Sequence, residues 1–415
     1  MRIGIVGAGV IGVSAAHALL RDGHEVSIFE ADGVASGASG GNAGAFAFSD
    51  IIPLATPGIL RQAPKWLFDP LGPLTIRPGY AARIMPWMMR FARASMPDRY
   101  AAARDAQAAL MRLSQAALDR LLAGVDGEHL IRREGQLQLY DTVAQFRASQ
   151  PGWREREAAG IRFDRLTSPA AISEIQPGLS DSFTHAVFTP DWINTTDPKL
   201  WVEHIAADLT RQGGTVTRAA VHRIRPGADG ITLDTDDGPA RFDRVVLAAG
   251  AHSGALLRPL GVKLPLETER GYNTTLPAGA FDLRTHVSFA AHGFVVTRIG
   301  DGLRVGGAVE LGGLNLPPNM KRAEALLAKA ADFLPGLDTR GGTQWMGFRP
   351  SMPDSLPVIG AAPGLPGLML AFGHGHLGLT QSAGTAELAA DLIAGRPPSI
   401  DPAPYRPGRF LRGQP

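Results

Sequence analysis

Polar and apolar positions change period along this chain in an order that repeats near both ends. Arg2-Ile3-Gly4-Ile5-Val6 is a short, mostly apolar run, the pattern of a parallel strand buried on both faces. It runs into Gly7-Ala8-Gly9-Val10-Ile11-Gly12, after which Val13, Ala15, Ala16, Leu19 and Leu20 recur at helical spacing. A turn at Asp22-Gly23 leads to a second strand from Glu25 to Phe29, closed by Glu30. Strand-like runs return at Thr215 to Ala219, at Asp243 to Ala249 before Gly250, and at Gly367 to Phe372 before a final helix ending at Gly395. Between them, Gly135 to Tyr140, Val287 to Val296 and Leu303 to Val309 predict strands of a second, mostly antiparallel sheet. Arg218 to Asp243 reads as a β-meander with turns at Pro226-Gly227 and Asp237-Gly238.

Helical spacing is strong from Ala101 to Ala123 and from Met320 to Phe333. A helix is expected from Asp191 to Gln212, and shorter helical pieces end near Gly160 and Pro177. Ile51 to Met96 is rich in proline, tryptophan and methionine. Within it, Arg83 to Met96 forms a helix with Arg83, Arg90 and Arg93 opposite Ile84, Met85, Met88, Met89, Phe91 and Ala92, shortened by Pro86. An ordinary amphipathic helix packed on a core explains it better than a membrane-surface helix.

The opening unit carries the first chemistry. Strand, G-x-G-x-x-G turn, helix, strand and acid stand in dinucleotide-binding order. Gly7 permits the tight turn, Gly9 admits a pyrophosphate to the backbone, and Gly12 lets helix and strand pack closely. The N–H groups at Val10 and Ile11 face the phosphates, and Glu30, with Ala31 beside it, meets a ribose hydroxyl. Soon after comes a small-residue loop, Ala35 to Ser49, in which Ser39, Gly41, Asn42, Ala43 and Gly44 suit close approach to a cofactor. The strand ending at Ala249-Gly250 offers backbone to the same ligand. The glycine-flanked start of the last helix, with Gly375, Gly378, Leu379 and Thr380, is a second place for an anion or dipole.

Composition narrows the field. With 415 residues, two domains are the default. Basic and acidic residues number 41 and 39, for a net charge of +2, so no nucleic-acid partner is expected. Cysteine is absent, which excludes disulfides, thiolate metal sites, iron–sulfur clusters and a cysteinyl-linked cofactor. No metal-ligand motif stands out. The first residues already form the working strand, so no secretory signal is expected. Leu356 to Ala386 lacks formal charge, but its prolines and glycines make it strand and loop rather than a membrane span.

Three strings together resemble the D-amino-acid oxidase superfamily of FAD enzymes, in its D-amino-acid dehydrogenase branch. They are Gly7 to Gly12 with Glu30; Ser39-Gly40-Gly41-Asn42-Ala43-Gly44; and Gly347-Phe348-Arg349-Pro350 through Pro357-Val358-Ile359-Gly360 into Gly373-His374-Gly375-His376-Leu377-Gly378. Ala45 stands where the branch usually has glutamine.

The resemblance implies a mixed α/β and α+β architecture: a Rossmann-like FAD-binding domain interleaved with a substrate domain holding a mostly antiparallel sheet. Residues 1–82, 188–262 and 343–415 would form the first, and 83–187 and 263–342 the second. It further implies non-covalent FAD and hydride transfer to the flavin from an amine-bearing acid, a D-amino acid by default. The imine so formed hydrolyses to a 2-oxo acid and ammonia. Arg349 would face the flavin and grip the substrate carboxylate bidentately. Tyr272 would add a hydroxyl to that carboxylate. His374 and His376 would shape the pocket or assist amine deprotonation.

The electron acceptor is open among quinone, dioxygen and a soluble carrier. A cytoplasmic location, with peripheral contact to the inner face of the cell membrane as an alternative, is the expectation. A secondary amine (proline, hydroxyproline or an N-methyl amino acid) is the rival substrate, and a non-catalytic nucleotide-binding or tRNA-modifying flavoprotein is the rival class.

Overall fold

The computed structural model describes residues 1–59, 72 and 74–410. Parts of the proline-rich stretch after Ile51, and of the segments 1–82 and 343–415, lie outside these residues. The early and late strands join as expected. Thr215–Arg218, Glu25–Glu30, Arg2–Val6, Arg244–Leu247, Leu365–Phe372 and Val358–Ala362 lie in that order in one six-stranded sheet. Every neighbouring pair is parallel except the last, Val358–Ala362 against Leu365–Phe372.

Strand alternation divides this sheet between two cores. Ile3, Ile5, Val26, Ile28 and Val246 pack on the helices Val10–Arg21, Pro198–Arg211 and Gly378–Ala394. Phe29, Val245, Leu247, Leu368 and Leu370 face the meander Val221–Phe242 through Ile231, Leu233 and Phe242. A Cβ at Gly4 would lie 2.6 Å from the Phe242 ring, so a glycine there lets the meander approach.

Among the described residues the second sheet has nine strands. Its path runs Thr343–Ser351, Glu267–Leu276, Gly302–Leu311, Phe294–Ile299, His286–Phe289, Gln136–Tyr140, His185–Thr189, Asp164–Leu166, with Leu74–Ile76 beside Gly302–Leu311. One face is apolar, where Leu137, Val287, Phe289, Val296 and Val305 meet Leu326 and Ala330 of helix Lys321–Phe333. The other face lines a cavity. The fold class read from the sequence, a Rossmann-like sheet interleaved with a mostly antiparallel one, is the fold observed.

Three local expectations need correction. Asp191 does not open a helix: Ile193–Thr195 is a strand, and Asp197 caps the helix Pro198–Arg211 through Lys199 N (2.7 Å) and Leu200 N (3.2 Å). Pro86 sits inside an unshortened helix, Ala81–Ala94, whose buried residues are Ile84 and Trp87, while Met85 and Met89 are exposed. Helix Pro97–Val125, placed with the substrate domain, packs in the first core, and strand Thr343–Ser351, placed with the FAD domain, edges the second sheet. Amphipathic patterning shows that an element is packed, not against what.

A buried ion network ties the second sheet together. Arg270 is fully buried and bonds Glu310 at 3.2 Å, along with the carbonyls of Gly312, Gly313, Leu316 and Pro317. Glu310 also accepts from the Tyr272 hydroxyl at 3.0 Å and lies 3.7 Å from Arg77. Removing one partner leaves a charge unpaired in the interior. Glu310→Ala should therefore cost about 3–5 kcal/mol, read from the denaturant midpoint; a loss near that of a surface substitution would refute the network's role.

Candidate functional site

The glycine turn is built as its spacing requires. Gly7 has φ +108°, and a Cβ there would lie 2.6 Å from the Ala248 carbonyl. A Cβ at Gly12 would overlap the Gly7 carbonyl, so Gly12 serves helix–strand packing. Glu30 accepts from Ala8 N at 2.8 Å, and Ser39 Oγ accepts from Val10 N at 2.9 Å, closing the turn against the small-residue loop. From here a cavity of about 800 Å³ runs toward the last helix. Gly7, Gly9, Val10, Ile11, Glu30, Ala31, Ser39, Asn42, Ala43, Ala249, Gly250, Gly375, Gly378 and Leu379 line it.

Of the remaining residues expected at a cofactor, Gly41 lines the neighbouring cavity instead. Gly44, at φ +67°, turns the chain beside Thr195. Thr380 is buried, its hydroxyl accepting from Ala47 N at 3.0 Å, and so ties the loop to the last helix. The walls at Ala220–His222 and at His252 carried no sequence signal. An elongated cavity with a bare glycine turn at a helix N-terminus at one end and a second helix N-terminus at the other fits FAD.

A second cavity, of about 300 Å³, lies over the polar face of the nine-stranded sheet and shares Arg349 and His376 with the first. Arg349 stands opposite Glu269 on the paired strand. Its guanidinium crosses Gly271, where a Cβ would overlap it, and donates from Nη1 to the Ala308 carbonyl at 2.9 Å. A bulge sets this up: Ala308 and Val309 oppose the single residue Gly271, and Ala308 takes φ +57°. Arg349 has no carboxylate within ion-pair distance among the described residues. Arg349 is partly buried, and desolvation by the protein around it lowers its pKa, partly offset by Glu269.

Tyr272 does not join Arg349. Successive residues on a strand face opposite ways, and Gly271 and Asn273 take the cavity side. The Tyr272 hydroxyl donates to Glu310 and accepts from Asn319 N at 3.1 Å on the far face. The carboxylate role expected of it is corrected to a structural one. His374 likewise bonds Thr385 at 2.9 Å on the last helix, and burial pushes its pKa down to about 3. His376 is the described residue shared by both cavities and a third, small one. His376 is exposed to these cavities, and desolvation by the surrounding protein, then Arg349, lowers its pKa against the pull of Asp50 and Glu269.

The rest of the cavity wall escaped sequence reasoning, because it comes from alternate residues of separate strands. Asn273 donates to the Gly41 carbonyl at 2.8 Å, and Arg304 donates to the carbonyls of Asn42 and, at 3.5 Å, Gly40, so both hold the loop over the sheet. Trp345 packs across Gly41 and Gly347. Farther out stand Gln136, Gln138, His286 and Ser288. His286 Nδ1 lies 3.3 Å from Asn194 Nδ2, which assigns its proton to Nε2, and burial alone drops its pKa to about 3.

Two histidines held neutral this far below 6.5 make a pH prediction. Below that value the unfolded chain binds protons that the folded chain refuses, so stability falls as pH drops from 6.5 toward 3. Each histidine should remove about 2 kcal/mol by pH 5. His374→Gln should shrink the pH 7 to pH 5 loss by that amount in denaturant titrations; an unchanged loss would place the acid sensitivity elsewhere.

The match to known proteins spans the chain. A model of the DAO family, described as FAD dependent oxidoreductase, matches residues 2–392. A D-amino-acid oxidase of Bradyrhizobium diazoefficiens is 35% identical over 99% of each chain. A D-amino acid dehydrogenase of Allorhizobium ampelinum is 33% identical over the full length of both. Among solved structures, glycine oxidase from Geobacillus kaustophilus superposes with a TM-score of 0.78 over all of both chains at 22% identity, a likeness of fold. Matched by the family model over residues 2–392 and by a relative 35% identical over 99% of the chain, the chain belongs to the DAO family of FAD-dependent oxidoreductases.

Proposed function

We propose that this protein oxidises the carbon–nitrogen bond of an α-amino acid, of D configuration, to an imine that water converts to a 2-oxo acid and ammonia. The observation that carries this is Arg349: a partly buried cation with no carboxylate within ion-pair distance among the described residues, at the junction of an FAD-sized cradle and a smaller cavity. FAD, when bound, supplies the hydride-accepting ring. Gly7, Gly9 and Val10 would hold its pyrophosphate, Glu30 its ribose, and the helix start at Gly378 and Leu379 the polar edge of the ring.

Arg349 would fix the substrate carboxylate, and so the α-carbon, against that ring. His376, neutral at pH 7, faces the same space and is suited to take the ammonium proton. Relatives named D-amino-acid oxidase and D-amino acid dehydrogenase support the D configuration.

The distal wall bears on the side chain. Gln136 and Ser288 make no side-chain hydrogen bonds among the described residues, Gln138 Oε1 is free, and Trp192 Nε1 is buried without a partner. These neutral donors and acceptors favour a hydroxyl or amide over a hydrocarbon of equal size.

In anaerobic mixing, D-amino acids should bleach the flavin. Hydroxyl- or amide-bearing ones should be favoured by roughly tenfold in kcat/KM over isosteric aliphatic ones. Bleaching only by proline or sarcosine would move the substrate to secondary amines. Arg349→Ala should keep the yellow cofactor and lower kcat/KM by about 10³-fold; unaltered reduction would remove Arg349 from the site.

A further inference from the structure

Glu269 is the one carboxylate near Arg349 for which neither the fold nor the proposed reaction has yet accounted. It is 6% exposed, and among the described residues its carboxylate makes no hydrogen bond and no ion pair. Buried carboxylates are normally paired or hydrogen-bonded, because desolvating a lone charge costs several kcal/mol. Its strand position directly opposite Arg349 puts it near that guanidinium, yet outside ion-pair distance.

What surrounds Glu269 is a small cavity of about 10 Å³, distinct from the two larger ones. Trp87, Gln107, Ser351 and His376 line it with Glu269. Three of these present buried polar atoms without a partner among the described residues: Trp87 Nε1, Gln107 Oε1 and Ser351 Oγ. A polar space of that size, with two to four hydrogen-bonding groups, is what one buried water needs. His376 lines this space on one side and the substrate and cofactor cavities on the other.

We propose that Glu269 is the acceptor of the proton the substrate ammonium gives up, reached from His376 through one water in this cavity. The proposal rests on the amino-acid reading above. FAD, when bound, would supply the acceptor for the α-C–H electron pair, and closing the C=N bond needs the nitrogen lone pair. That lone pair is free only after one N–H bond of the ammonium breaks. The proton passes to the His376 imidazole, the imidazole returns a proton to the water, and the water delivers one to the carboxylate, forming a single O–H bond on Glu269.

Asp50 is the other carboxylate facing His376, but it lies 3.6 Å from Arg156 and borders the substrate cavity itself. The charged groups facing the pair are thus Asp50, Arg349 and, behind Glu269, Glu267, which the Tyr80 hydroxyl holds at 2.9 Å. His374, also on this cavity, is committed to Thr385.

The test is Glu269→Gln in the FAD-loaded protein, with Glu269→Asp as the conservative control. Anaerobic flavin reduction by a D-amino acid should slow roughly 10²-fold at pH 7 in the glutamine variant. The gap should close above the substrate's own amine pKa, where free amine arrives from solvent, and aspartate should restore part of the rate.

A second reading avoids turnover: binding of 2-aminoisobutyrate, which has no α-hydrogen. In Glu269→Gln its affinity should rise about tenfold per pH unit from 7 to 9, because only the free amine can bind without an acceptor for its proton. The wild-type affinity should stay flat. If Glu269→Gln matches wild type in both profiles, or if its loss of rate persists unchanged at high pH, the relay is wrong while the amino-acid reading stands. If no amine reduces the wild-type flavin, the proposed function falls, and the relay with it.

Discussion

A guanidinium enclosed at a cavity wall, with no carboxylate within ion-pair distance among the described residues, is the constraint around which this site is built. Taking a charge out of water without a partner is among the costlier things a fold does. Here several features serve that one group. The strand Gly302–Leu311 carries a bulge, and Ala308 sits in the left-handed region at φ +57°, a conformation costing on the order of 1–3 kcal/mol for a residue with a Cβ. What the bulge provides is one carbonyl aimed at Arg349 Nη1. Gly271 beneath it is bare because a Cβ would occupy the guanidinium's place. One Arg349 nitrogen is thereby fixed, and under the proposed function the remaining donors are left for the substrate carboxylate.

Arg270, a neighbour on the adjoining strand, shows the alternative. It is fully buried, where Arg349 is only partly so, and Glu310 and four backbone carbonyls satisfy it, with the Tyr272 hydroxyl completing the shell on Glu310. The two arginines face opposite sides of one sheet. On the helix side the charge is cancelled and serves structure; on the cavity side it is not. The two differ in how many partners the fold supplies and in burial, since Arg349 keeps part of its surface open to the cavity.

That parity also decides what could be read from the chain alone. The βαβ unit from Arg2 to Glu30 was legible because its signals are local: a period change, a glycine spacing, an acid at a set distance. Arg349 was legible through the resemblance of its Gly-Phe-Arg-Pro string. Tyr272 was not, because its side of the sheet depends on alternation past a bulge whose other strand lies some thirty-five residues away. Arg304, Asn273 and His286 are single polar residues on strands, and nothing local distinguishes a cavity-facing one from a solvent-facing one. The same reason hid Glu269, whose proposed role rests on its carboxylate having no hydrogen bond among the described residues.

The interleaving has a consequence for how the site comes into being. Arg2–Val6 has Glu25–Glu30 on one side, but on the other it needs Arg244–Leu247, which in turn needs Leu365–Phe372. The loop at Gly40 to Asn42 is held by Asn273 and Arg304, and at Ala47 by Thr380. Neither cradle nor cavity is complete until the last hundred residues have docked, so the pairings that form the site are those with the largest loop-closure cost. A ligand that binds only the docked state then stabilises the whole fold by mass action. FAD, bridging the first glycine turn and the last helix, would act as a clamp between the two ends of the chain.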